Sequence, residues 1–99
     1  MQASYAATFT REMGCTVTEW LRLLPAAIGD NNFALETESV EVQLPPGKLS
    51  LCWQPMSPRV IGLARFPRLM VQFAFEGLSA DQRYTFMKRF DLYTHRGGG

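Results

Sequence analysis

Two cysteines and one histidine are the only thiol and imidazole side chains in this 99-residue chain. Cys15, Cys52 and His95 are scattered, without the closely spaced Cys/His ligands that a structural zinc site needs. Two thiols are also too few for the disulfide framework of a small secreted domain. Reduced cysteines in a cytoplasmic protein are therefore expected. No apolar run approaches the roughly 18 residues of a membrane span, and no basic-then-apolar leader pattern opens the sequence. The nucleophile elbow GxSxG, the Walker loop, GxGxxG and HExxH are all absent. Neither an enzyme nor a cofactor is expected.

What the chain does have is apolar content: 46% hydrophobic and 12% aromatic residues against 19% charged. At this length about 65% of the unfolded surface is buried on folding, enough for a core without staples. Residues 1–99 are expected to form one domain, with 95–99 as a flexible tail. The net charge of +1 hides an asymmetry. Residues 1–58 carry three bases and six acids, net −3, whereas 59–99 carry seven bases and three acids, net +4. Such a split marks an anion-binding face or two regions that attract each other.

Period-two alternation predicts strands at 5–11, 38–44, 48–54, 59–65 and 68–76. Thr16–Glu19 and Ser79–Gln82 are capping boxes, which predict helices over 17–28 and from about Ala80 to about Tyr93. Cys15 and Trp20 stand at the two positions of a hydrophobic staple. Pro25 removes a helical hydrogen bond to Leu21 and predicts a kink or restart. Pro45-Pro46-Gly47 is a turn, Pro55–Pro58 reads as a break, and Phe66-Pro67 reads as a connection with either a longer loop or a cis bond. The inward set is Val40, Val42, Leu44, Leu49, Leu51, Trp53, Leu69, Val71, Phe73 and Phe75. The expected fold is α+β: a two-layer sandwich with an antiparallel sheet of about five strands, order β-α-β-β-β-β-α, and both helices on one face.

Three candidate sites follow. Cys52, Ile61, Leu63 and Met70 fall on the outer parity of the sheet, with Arg65 and Arg68 at the rim. An apolar patch of this kind marks a contact surface, and a homodimer is the expected partner. Trp53, Phe73, Arg83 and Phe90 could line a helix/sheet pocket for a small apolar or anionic ligand, with space left by Gly62 and Ala64. Against this, Arg83 can snorkel with its guanidinium in water beside Glu76. Cys15, before a helix N-terminus, could have a lowered pKa, although the staple needs only a small hydrophobe there. Bases and aromatics interleave over 59–96 as on a nucleic-acid surface, but the pI near 7.8 argues against that partner.

Arg96-Gly97-Gly98-Gly99 resembles the diglycine tail of ubiquitin-like and sulfur-carrier proteins. That resemblance implies a carrier whose terminal glycine is activated. In those families a strand of a β-grasp fold precedes the tail, whereas here a helix is predicted.

Overall fold

Alternation through 40–53 and 69–75 builds one fully apolar sheet face, and the helices close over it. The structure, a computed structural model, describes residues 4–94. Its elements are β1 (Thr8–Met13), α1 (Val17–Ile28), β2 (Phe33–Leu35), β3 (Ser39–Leu44), β4 (Gly47–Ile61), β5 (Ala64–Glu76) and α2 (Ala80–Thr94). The five strands form one antiparallel sheet in the order β1-β5-β4-β3-β2. The α+β sandwich and its element order are as expected, and every residue of the inward set is buried.

The strands divide differently from the sequence reading. Pro55 and Pro58 do not break the chain: β4 runs through both. Proline is tolerated in a strand where its missing N–H faces no neighbour. β3 pairs with β4 only as far as Ser39 opposite Cys52, so beyond Gln54 that side of β4 is open. The turn expected at Phe66-Pro67 lies instead at Gly62-Leu63, where Gly62 (φ 61°) supplies the positive φ of a two-residue hairpin loop. The cis bond is Pro45–Pro46. β2 was not expected as a strand; it pairs Phe33 with Val42 and Leu35 with Val40.

Both capping boxes form. The Glu19 amide donates to Thr16 Oγ1 (3.1 Å) and the Thr16 amide to Glu19 Oε1 (2.8 Å). Ser79 and Gln82 repeat the exchange at 2.8 and 3.2 Å. Of the kink or restart expected at Pro25, the restart does not occur. The residue is exposed, and Leu24, Ala27 and Ile28 pack into the core on either side of it, so α1 continues to Ile28. On α2 the buried face is Phe86, Met87, Phe90 and Thr94. Tyr93 turns outward under the Arg89 guanidinium, 4.6 Å from its ring centre.

A polar clasp ties the segment before β1 to α2. The Tyr5 hydroxyl donates to Asp91 (2.6 Å), and Arg11 pairs with the same carboxylate. Burial first, then the Asp91 carboxylate, pushes the Tyr5 pKa up to about 12. At the other end of the sheet, a Cβ on Gly47 would run into the backbone at Glu76 and Gly77, so only glycine fits there.

Candidate functional site

The hairpin of β4 and β5 outruns the helices. Up to the pair Trp53–Val71 its helix-side residues are buried; from Gln54 to Phe66 every residue is exposed. The overhang is a two-stranded arm about 26 Å long, at about 3.3 Å per residue over eight residues of β4. Met56, Val60 (58% exposed), Ile61 (62%), Leu63 and Phe66 (48%) all lie on it. A lone two-stranded ribbon is marginal in water, and exposed apolar clusters mark contact surfaces.

The base of the arm is anchored. An extra residue in β4 between Met56 and Arg59 makes a bulge. Arg68 reaches across it to the Ser57 carbonyl (3.2 Å). Glu12 of β1 accepts from Arg59 (3.2 Å) and from Arg68 (3.1 Å). Arg65 has no ion pair among the described residues.

The four residues expected to form one outer-face patch divide between two places. Cys52 and Met70 lie on the outer face of the sheet body, in register with Gln72 and Gln54. Around them that face carries Thr8, Thr10, Ser50 and Gln72, so it is polar. Ile61 and Leu63 stand at the tip of the arm. The four are thus spread along β4 and β5 rather than gathered: the turn lies at Gly62-Leu63 and not at Phe66-Pro67, which carries Ile61 to the tip of the arm, although the register through Ala64, Phe66 and Arg68 keeps it on the face of Met70 as expected.

The residues expected to line a ligand pocket lie elsewhere than in open space. Trp53, Phe73 and Phe90 are buried. Phe73 meets Phe90 edge to face at 5.5 Å, and Trp20 meets both Trp53 (5.7 Å) and Phe90 (6.0 Å). The indole N–H groups of Trp20 and Trp53 are buried with no acceptor among the described residues. Arg83 is half-buried and makes no ion pair with Glu76: its Nε and Nη1 donate to the carbonyls of Tyr5 and Leu78, both at 2.9 Å. Gly62 is in the arm's turn with open space around it. An open groove of about 440 Å³ lies at the other end of the molecule, lined chiefly by Leu44, Pro45, Leu78, Asp81, Phe86 and Arg89.

Burial, then Glu19, pushes the Cys15 thiol up rather than down, which opposes a thiolate nucleophile. Among the described residues no group of three or more His, Cys, Asp or Glu is placed to hold a metal ion. No helix among them is long and apolar enough to cross a membrane. The glycine tail lies outside the described residues.

A second exposed apolar feature was not expected from the sequence. Phe33 and Leu35 point to the helix side of the sheet edge, opposite Val42 and Val40, yet no helix reaches them, and they remain 42% and 51% exposed. Asp30, Glu36 and Glu38 flank them without an ion pair among the described residues. The signal that could have found the arm is Ile61-Gly62-Leu63-Ala64, since glycine at the first loop position between strand formers marks a tight hairpin. The chain matches no protein-family model, no curated protein and no solved structure.

Proposed function

We propose that this protein is a non-enzymatic module that self-associates, and that the arm of β4 and β5 is its contact element. The observation that carries this reading is the run of exposed Met56, Val60, Ile61, Leu63 and Phe66 on a ribbon with no helix beneath it. Covering such a ribbon removes apolar area from water at about 25 cal/mol per Å². Leu63 is the residue to change. It lies in a loop and is fully exposed, so its substitution spares the core. Leu63→Glu is expected to yield a monomer by light scattering where the wild type is oligomeric. A wild type that stays monomeric at high concentration overturns the reading.

A second reading, a small apolar ligand, is favoured by the groove between β3 and α2 rather than by Trp53, Phe73, Arg83 and Phe90. Native mass spectrometry of the purified protein tests it, since a retained small molecule would appear as added mass.

A further inference from the structure

Four strand edges of this sheet face solvent, and three are guarded. Pro55 and Pro58 stand on the open side of β4 in the arm, and Pro67 lies on β5. β1, Thr8-Phe9-Thr10-Arg11-Glu12-Met13, carries two charged side chains. Proline and charge are the devices that keep edges from pairing. β2 has neither: it is Phe33-Ala34-Leu35, uncharged, with both large side chains half exposed.

The surroundings of this edge are acidic. Asp30, Glu36 and Glu38 have no ion pair among the described residues, while Glu41 is already paired with Lys48 (3.1 Å). The arm is the opposite. It carries Arg59, Arg65 and Arg68, of which Arg65 has no ion pair and Arg59 stays more than half exposed beside Glu12.

Resting on the self-association reading above, we propose that the arm of one copy docks on the acidic β2 edge of the next. Charge selects this pairing. Arm on arm would bring three arginines against three, and edge on edge would bring Asp30, Glu36 and Glu38 against themselves. Like charges across an interface disfavour both. Arm on edge sets Arg59 and Arg65 against Glu36 and Glu38, and sets Ile61, Leu63 and Phe66 against Phe33 and Leu35. A chain cannot satisfy its own edge: the arm prolongs β4 and β5 in line, whereas β2 lies beyond β3. The contact is therefore head to tail, and it builds rings or open chains rather than a two-fold dimer.

The test uses two variants of the full chain, followed by sedimentation velocity. Leu63→Glu with Arg65→Glu spoils the arm and leaves the edge. Phe33→Ser with Leu35→Ser removes the apolar half of the edge and leaves the arm. Wild type is expected to form species beyond a dimer as concentration rises. Each variant alone is expected to associate about 100-fold more weakly or worse. Mixed in equal amounts they are expected to form a 1:1 dimer and nothing larger, because each supplies the half the other lacks. Circular dichroism matching wild type confirms that both fold. If the edge variant associates like wild type while the arm variant is monomeric, the contact is arm on arm: the docking proposal fails and the self-association reading stands. A wild type monomeric throughout overturns both. Nucleic acid retained by wild type and lost from the arm variant also overturns the proposal, by assigning the arm a different occupant.

Discussion

Leu49 and Ile61 lie on one strand, the first fully buried and the second 62% exposed. The same hydrogen-bonded ladder passes from a body covered by two helices into an arm covered by none. In the body, burial decides which residues are allowed: alternation is strict and proline is excluded. In the arm the ladder persists, but Pro55, Pro58 and Pro67 enter it and apolar residues appear on both parities. A strand's sequence thus records its neighbours more than its own conformation. The arm's large exposed side chains then require a reason other than folding.

The sharpest way to test this contrast is to make the same truncation on both sides of it. Phe90→Ala removes a fully buried ring between Trp20 and Phe73, and is expected to lower stability by about 3–5 kcal/mol. Ile61→Ala in the arm is expected to change stability by no more than about 0.5 kcal/mol. Urea midpoints compared at equal slope measure both, and an equal loss would show that the arm belongs to the core.

Alkaline pH is expected to separate the two regions chemically. The Tyr5 pKa is raised from 10.0 to about 12 by burial and by Asp91, so folding favours the neutral phenol. Its contribution is complete below pH 10 and is lost as pH rises from 10 through about 12. At 1.36 kcal/mol per unit that is on the order of 2 kcal/mol, all of it in the body. Thermal melts across this window should fall for wild type and be flatter for Tyr5→Phe.

A small effect on stability is also expected from removing the arm altogether. Replacing 56–68 by Asn-Gly leaves the pair Pro55–Leu69 closed by a tight turn. Stability is expected to shift by less than about 1 kcal/mol, since what is lost in the body is two exposed arginine contacts to Glu12. Oligomers should disappear in the same sample. A variant that fails to fold would erase the distinction between arm and body.

The body was legible in the sequence because its signals are local and redundant. Val40 to Trp53 alternate without a lapse, and each helix announces its start with a reciprocal pair of hydrogen bonds. The arm was not, because two prolines three residues apart ordinarily end a strand, and only the absence of a neighbour beyond Cys52 permits them. The turn at Gly62-Leu63 then carried Ile61 away from Met70 along the ribbon, while the bulge after Met56 kept both on one face. β2 was missed for a different reason: three residues are too few to show a period. The fate of Arg83 turned on a partner distant in sequence, the Tyr5 carbonyl.

The clasp between Tyr5, Arg11 and Asp91 also has a consequence in time. Arg11 and Asp91 are separated by 80 residues, and at about 5–20 residues per second a ribosome needs roughly 4–16 s to travel between them. Among the described residues β1 has no sheet partner other than β5. During synthesis its Phe9 and Met13 therefore wait uncovered while the later strands appear, and the clasp can close only after α2 has formed. No early half of this molecule is a finished unit. Its cooperativity is set by a strand at one end of the described chain that is held by a helix at the other.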